Sequence, residues 1–353
     1  MDALSRLLSL HPVRAALDIR CRFGQPWNLP HAALPAGVAP YHFILEGRAQ
    51  LRLAAGEPVL LEAGDLVVLT RGAAHDLFIA PVGEAIAARP GVTAAPVQLN
   101  VNDEDGGGAQ PLSDFLCGQF HFDAPHSNAL MQALPEVLLV RGQQLPQGDG
   151  LHTLATLLRN ECGGADGRGE LRAGAQAVVA GLAAALFGLA LRAWLAQGGP
   201  QPGLLALLAH PGLQPAMQAM LDAPQQDWTL PRLAALCHMS RATFVRRFQE
   251  VGATTPGELL QQLRMARAAQ LLSYSKMGTA QIGETVGYQS EAAFNRVFKK
   301  FSGMGPGAYR RRGRLEQGQA GAGTGCGGER FRGCRGDQRI GRRMVFFTSS
   351  ITA

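Results

Sequence analysis

Residues 229–257 return at 279–307 with eight identities in register: Thr229/Thr279, Ser240/Ser290, Ala242/Ala292, Phe244/Phe294, Arg246/Arg296, Phe248/Phe298, Pro256/Pro306 and Gly257/Gly307. Average composition gives about two identities over such a stretch, so this region holds a duplicated structural unit. In each copy a Thr able to N-cap opens a short apolar helix, a tight turn follows, and a Ser able to N-cap starts a second helix. Phe244 and Phe248, like Phe294 and Phe298, stand one helical turn apart and mark the core stripe of that second helix, which Val251 or Phe301 prolongs.

A merely solvated opposite face would have no reason to repeat in register. That face carries Ala242, Val245, Arg246 and Gln249 in one copy and Ala292, Asn295, Arg296 and Lys299 in the other. Arg241 stands at the start of the first such helix, and Gln289, Ser290 and Glu291 at the start of the second. Arg grips guanine through two hydrogen bonds, Asn and Gln grip adenine, and Ala permits close approach to base edges, so these positions are the candidate contacts to double-stranded DNA. Between the copies, Thr255-Pro256-Gly257-Glu258 has capping-box spacing with Pro in the first turn and predicts a helix to about Ser273. Such a helix spans about 27 Å. That length suits two recognition helices set near the roughly 34 Å repeat of the major groove.

With these residues in place, WTLPRLAALCHMSRATFVRRF, GETVGYQSEAAFNRVFKKF and PGAYRRR resemble the two helix-turn-helix units of AraC/XylS-type transcription regulators. The resemblance implies a sequence-specific regulator, an activator, that works as a homodimer on DNA with RNA polymerase as partner. It implies no enzymatic activity, catalytic residue or cofactor. His238 stands at a turn position where the family often has Gly, and His tolerates a left-handed backbone better than most residues.

Charge divides the chain in the same way. Lys and Arg against Asp and Glu number 13 and 18 in residues 1–212, 13 and 6 in 213–312, and 7 and 3 in 313–353, so the net values are −5, +7 and +4. A basic repeat region beside an acidic N-terminal part is the footprint of a DNA-binding module joined to a module of another kind. MDALSRLLSL has an early acid and no long apolar run; no secretory signal is read and a cytoplasmic location is expected. The six cysteines (21, 117, 162, 237, 326 and 334) lack zinc-like pair spacing and the density of a disulfide scaffold, so free thiols are expected. The apolar run AVVAGLAAALFGLAL, residues 177–191, is short of the about 20 residues a membrane span needs. A buried or dimer-forming helix ending near Trp194 is expected instead, with no membrane partner.

From Tyr41 to Ile79 short β-rich runs alternate with turn residues (YHFILEG, AQLRL, PVLLEAGDLVVL, TRGAAHDLFI), which predicts an antiparallel barrel. GDLVVLTRGAAH, residues 64–75, is similar to the second cupin motif, with Thr70 where that family usually has Pro. Metal-binding cupins place two histidines two positions apart and then a Glu on an earlier strand. Here Ile44 follows His42, and Arg48 or Ala49 stands where the Glu belongs. The site reads as broken: no metal ligand is assigned, and a cupin metalloenzyme fused to a DNA-binding domain would need a bound metal. His42 and His75 can still line one cavity. FLCGQFHF predicts a closing strand, while MQALPEVLLV, LHTLATLLRNEC and the Ala-rich stretch predict helices. The expected fold class is therefore α+β in two domains. Residues 1–195 form a cupin-like sensor and dimerisation domain, 196–212 a linker with a short helix in LLALLA, 213–312 the all-α DNA-binding domain, and 313–353 a disordered basic tail.

From residue 1 to about 312 the pattern resembles the reactive-chlorine-responsive branch of the AraC/XylS family, and this resemblance implies Cys21 and Cys117 as sensing thiols. A thiolate oxidised to sulfenic acid can be trapped reversibly by a second thiol. Cys21 lies between Arg20 and Arg22, which favour a thiolate if either reaches it, yet on a strand adjacent side chains point to opposite faces. Two alternatives stay open: both cysteines are small buried hydrophobes, and the signal is a small organic effector held in the barrel cavity.

Overall fold

The computed structural model describes residues 2–24, 26–79, 89–90, 97–102, 113–123, 128–163, 172–198 and 201–313. The expectations for the tail beyond residue 313, including Cys326 and Cys334, lie outside the described residues. The described part is α+β, with a curled sheet followed by helices.

Helix α1 (Ala3–Leu10) is capped by Asp2, whose carboxylate accepts from the Ser5 backbone N–H at 2.9 Å. Nine strands follow: β1 (Val13–Phe23), β2 (Trp27–His31), β3 (Val38–Leu53), β4 (Val59–Glu62), β5 (Leu66–Leu69), β6 (His75–Ile79), β7 (Arg89–Pro90), β8 (Gln98–Val101) and β9 (Ser113–Phe122). Strand β10 (Val137–Val140) comes after α2 (Ala129–Ala133). One sheet runs β10-β5-β3-β9-β1-β8-β7. The first half of β3 belongs to it, while the second half pairs with β4 and β6, and β6 pairs with β2. The strand turns between the two sheets at a register shift between Ile44 and Glu46, beside Gly47 at φ 74°. A bulge bends and twists a strand, and a left-handed Gly allows it without strain.

The segment MQALPEVLLV is not one helix. The helix stops at Ala133, and Val137–Val140 pairs antiparallel with β5. Pro135 lacks the N–H a continuing helix needs, and the apolar VLLV run satisfies its backbone in a ladder instead. Strands β1 and β2, which the periodicity did not delimit, occupy residues 13–31.

Helices α3 (Gly150–Glu161) and α4 (Ala175–Ala196) pack together and over β1. At 22 residues α4 is longer than the apolar run, and by length and composition it is long enough to cross a membrane. It buries Val179, Ala183, Leu186, Phe187, Ala190, Leu191 and Trp194, leaving Ala177, Val178, Gly181 and Ala185 exposed. Next come α5 (Leu204–Ala209), α6 (Gln214–Asp222), α7 (Leu230–Leu236), α8 (Arg241–Gly252), α9 (Pro256–Tyr274), α10 (Thr279–Thr285) and α11 (Glu291–Ser302). Helix α5 buries Leu204, Leu205, Leu207 and Leu208 and docks on α8 and α6.

Three apolar clusters result. One fills the barrel with Cys21, Phe23, Trp27, Ile44, Leu77, Phe115 and Cys117 among its members. A second runs without a break from α1 and the outer face of the sheet, through α3 to α6, to Phe244, Phe248 and Leu263. The third belongs to α10, α11 and the end of α9, around Phe294 and Phe298.

Arg20 and Asp114 form a fully buried pair, Nε to Oδ1 at 2.9 Å and Nη2 to Oδ2 at 2.6 Å, and Arg20 Nη1 also donates to the Cys162 carbonyl at 3.0 Å. Removing one partner of such a pair strands a charge away from water. Asp114→Asn should therefore cost about 3–5 kcal/mol in denaturant unfolding of the full chain; a loss below about 1 kcal/mol, the range of a surface pair, would mean that the pair does not hold β1 to β9.

The sheet region and the C-terminal helices meet along a seam lined by His11, Asp123, Asn128, Gln270 and Tyr274. Tyr274 donates to Asp123 at 3.0 Å, Gln270 to the Ser9 carbonyl at 3.0 Å, and Arg6 to Asp222 at 2.9 Å. His11 Nε2 is buried there without a hydrogen-bond partner, and burial pushes the His11 pKa down to about 4. The unfolded chain takes up this proton near the ordinary value of 6.5, so His11 contributes full stability above that pH and loses it progressively as pH falls toward 4. Thermal unfolding between about pH 7 and about pH 4 should show His11→Phe losing about 2–3 kcal/mol less than the parent chain. Equal losses would contradict a buried neutral His11.

Candidate functional site

Both repeat copies fold as two short helices and a turn: α7 and α8 in one, α10 and α11 in the other. Ser240 caps α8 by accepting from Thr243 N–H at 3.2 Å, and Ser290 caps α11 by accepting from Ala293 N–H at 3.3 Å. Phe244, Phe248, Phe294 and Phe298 are completely buried. The core stripe therefore lies inward, and the repeated polar face turns outward.

Arg241, Ala242, Arg246 and Gln249 are exposed on α8, as are Gln289, Ser290, Glu291, Ala292, Arg296 and Lys299 on or beside α11. Val245 and Asn295 are half-buried. Val245 leans on the apolar cluster under α8, and the Asn295 Oδ1 has no partner. The Ser290 hydroxyl is engaged as a cap. Arg246 sits 3.7 Å from Glu250 in an exposed pair of the kind worth little in water, so its guanidinium can be drawn away by a stronger anion.

The two units differ by one residue at the turn. Thr229 occupies the N-cap position of α7 without a side-chain cap bond, whereas Thr279 is already inside α10 and Gly278 holds the cap position. The expectation that a Thr caps both first helices is corrected accordingly. The second turn is one residue longer, which shifts its helix back: the left-handed residue is His238 at φ 52° in one turn and Gly287 at φ 90° in the other. At Gly287 a Cβ would also press on the Gln225 carbonyl at 2.7 Å.

Helix α9 joins the units through the full capping box, with Thr255 Oγ1 accepting from Glu258 N–H at 3.2 Å and Glu258 accepting from Thr255 N–H at 3.0 Å. Arg264, midway along it, donates to the carbonyls of Pro224 and Gln226 at 2.7 and 2.9 Å and fixes the strap that leads into α7. The spacing of α8 and α11 is thus set by one helix with its own braces.

The second constellation lies inside the barrel. Cys21 on β1 and Cys117 on β9 are both buried, and both side chains enter the same apolar cluster. The strands are direct neighbours, with Ile19 opposite Cys117 and Cys21 opposite Phe115, so the two thiols are diagonal neighbours on the inner face. Arg20, paired with Asp114, belongs to the outer face, and its charge gives Cys21 no help. Burial, reinforced by the contact with Cys117, pushes the Cys21 thiol well above its ordinary range.

Cys117 also faces His42 directly across β3 and β9, with His42 Nδ1 3.0 Å from the sulfur. His42 Nε2 lies 2.8 Å from His75 Nε2, and His75 Nδ1 lies 2.8 Å from the Ala73 carbonyl. A carbonyl only accepts, so His75 carries its proton on Nδ1, and the chain then reads in one direction. The Cys117 S–H donates to His42 Nδ1, and the His42 Nε2–H donates to His75 Nε2. Burial, then the neighbouring His31 and His75, hold the His42 pKa well below the ordinary value, so the ring is neutral.

His31, which sequence reasoning missed, stacks on His75 with ring centroids 4.5 Å apart and hydrogen-bonds through Nδ1 to the Leu29 carbonyl at 3.1 Å. It reaches the cluster because β2 pairs with β6, placing His31 opposite His75. The only signal was the weak alternation of WNLPH, and Pro30 confines that segment to a sheet edge. Cys162 and Cys237 are buried elsewhere, in the cluster under the sheet and helices, and burial pushes the Cys162 thiol up to about 11.

Comparison with known proteins covers both constellations. A cupin family profile matches residues 2–196, and a helix-turn-helix domain profile matches residues 233–312. The RCS-specific HTH-type transcriptional activator RclR of Escherichia coli strain K12 is 33% identical over 314 residues, which span 88% of this chain and 98% of that protein. An HTH-type transcriptional regulator of Haemophilus influenzae is 33% identical over 312 residues, 88% of this chain and 99% of its own. The HTH-type transcriptional regulator MtrA of Neisseria gonorrhoeae is 27% identical over 319 residues, 89% and 99% of the two chains.

Proposed function

Because the chain belongs to the AraC/XylS family of DNA-binding transcription regulators, with a cupin sensor domain, we propose that it is an activator whose α8 and α11 read successive major grooves and whose signal is an oxidant sensed by Cys21 and Cys117. The observation that carries the DNA reading is the duplicated outward face. Arg241, Ala242, Val245, Arg246 and Gln249 in one unit, and Gln289, Ser290, Glu291, Ala292, Asn295, Arg296 and Lys299 in the other, are the contact set, with Val245 contributing mainly packing. Residues 1–195 are the sensor and dimerisation domain, 196–212 the linker with α5 docked on α8, and 213–312 the DNA-binding domain.

The exposed apolar face of α4 around Val178, Gly181 and Ala185, beside the exposed Leu157 of α3, is where a second copy of the chain docks. RNA polymerase is the partner at the promoter, the protein works in the cytoplasm, and it catalyses no reaction.

Support for the oxidant reading comes from the contact between the two thiols and from the RCS-specific relative. Hypochlorous acid is small and neutral and can enter an apolar interior. It oxidises one cysteine thiol to the sulfenic acid, the S–H proton and chloride leaving as the sulfur takes up the oxygen. Condensation with the other thiol then forms the S–S bond and releases water. A small organic effector is the less favoured signal, because Phe23, Trp27 and Phe115 pack ring on ring at 5.2–5.7 Å and fill the interior it would occupy.

Arg246→Ala and Arg296→Ala should each weaken binding to the cognate operator by about 1–3 kcal/mol and relax specificity at different base pairs about one helical turn apart. Binding like the parent chain by both variants would refute the face assignment. In cells carrying an operator reporter, hypochlorous acid should induce the parent chain but not Cys21→Ala or Cys117→Ala. Peptide mapping of the oxidised protein should find Cys21 joined to Cys117. Equal induction in all three strains would remove the oxidant reading.

A further inference from the structure

The barrel cluster holds more donors than a disulfide switch uses. His31, His42 and Cys117 each present one ligand atom, and these atoms all lie within 4.8 Å of one another. Zinc bonds of about 2.0–2.3 Å to nitrogen and sulfur put tetrahedral ligands roughly 3.3–3.8 Å apart, so only a small contraction closes the set on an ion. Among the described residues it is the one group of three such side chains with donors this close.

The hydrogen bonds around the two rings leave each of them one nitrogen lone pair. His31 gives its Nδ1 proton to the Leu29 carbonyl at 3.1 Å, which leaves Nε2 as a lone pair. His42 donates from Nε2 to His75, which leaves Nδ1 as a lone pair on the side of Cys117, and His75 is itself anchored on the Ala73 carbonyl. Ligating histidines characteristically give their second N–H to a backbone carbonyl or similar acceptor, which fixes both tautomer and orientation. Two nitrogens and a sulfur, with no oxygen donor in the set, suit a borderline-soft ion and disfavour Mg²⁺ or Ca²⁺.

We propose that His31, His42 and Cys117 bind one zinc ion inside the barrel, with His75 as the positioning residue behind His42. The motif spacing that reads as a broken site concerns one strand. The donor set is instead drawn from β2, β3 and β9, with β6 supplying the support. On binding, the Cys117 S–H bond breaks, an S–Zn bond forms and the proton leaves to solvent. The inference does not depend on the oxidant reading, since Cys21 is not a ligand. It adds one consequence: Cys117 cannot hold the ion and bridge to Cys21 at the same time.

The test uses the full chain, reduced, stripped with a chelator and titrated anaerobically with Zn²⁺ against a chromophoric competitor, then with Co²⁺ followed by absorption. One equivalent per chain is expected, with a thiolate-to-cobalt charge-transfer band and the visible bands of a low-coordinate Co²⁺ site. Cys117→Ser should abolish the charge-transfer band, His31→Ala should lose tight binding, and His75→Gln should weaken it about 10–100-fold. Cys21→Ala should bind as the parent does. His31 sits on an edge strand and is half-buried, so His31→Ala keeps the fold, and circular dichroism of each variant checks this. No uptake by the parent chain would overturn the proposal. So would equal binding by Cys117→Ser and His31→Ala, which would put the metal on other residues, or uptake of Cu⁺ to the exclusion of Zn²⁺.

Discussion

The buried pair between Arg20 and Asp114 is the constraint on which the sensor half depends. Two charges removed from water are tolerated only where the geometry satisfies nearly every donor and acceptor. Here the guanidinium makes a two-bonded fork with the carboxylate and spends a third N–H on the end of α3. The pair therefore fixes the register of β1 on β9 and the place where the trailing helices leave the sheet. Strand alternation then sends Cys21, next to Arg20, to the opposite face, where the same register brings it diagonal to Cys117. A one-residue slip would turn Cys21 out of the barrel and Arg20 into it.

Gly118 extends this dependence to the third strand. Tyr41 on β3 crosses β9 above it to donate to the Ala16 carbonyl on β1 at 3.0 Å, and a Cβ at 118 would collide with that hydroxyl and with the carbonyl itself. The central strand is thus clamped from both sides. Next to the clamp sit Cys117, His42 and the histidines behind it, so any chemistry at that sulfur acts on a strand held along both edges. The continuous cluster from the outer face of the sheet to Phe244 and Phe248 means that the first helix-turn-helix unit shares its core with the sensor. The second unit has its own core and is joined through α9. The outer face of β1 and β9 therefore lies in the same apolar cluster as α8, whereas α11 packs in a separate cluster with the end of α9.

The helical half was largely legible in the sequence because its signals are local. The Phe spacing, the Ser caps and the Thr255–Glu258 capping box each involve residues a turn or two apart, and the repeat shows most of these signals a second time fifty residues on. The one-residue offset between Thr229 and Thr279 escaped because identity across copies preserves alignment at both ends of a turn while hiding its length. The barrel was legible only in its middle strands, where alternation is clear. VLLV reads equally as helix or strand until its partner β5 is known. The histidine–cysteine cluster draws on four strands that span residues 31–117, and no pattern along the chain records which of them pair. His31 in particular follows a Pro on an edge strand, which makes it look like loop.

A methylation-protection footprint of the full chain on its operator, taken with and without hypochlorous acid, tests the paired-helix reading most directly. Bases should be protected in two major-groove segments about one helical turn apart on one face of the DNA, and oxidant should alter the protection only while both Cys21 and Cys117 are present. A single protected segment, or an oxidant response that persists in the chain lacking both thiols, would contradict it.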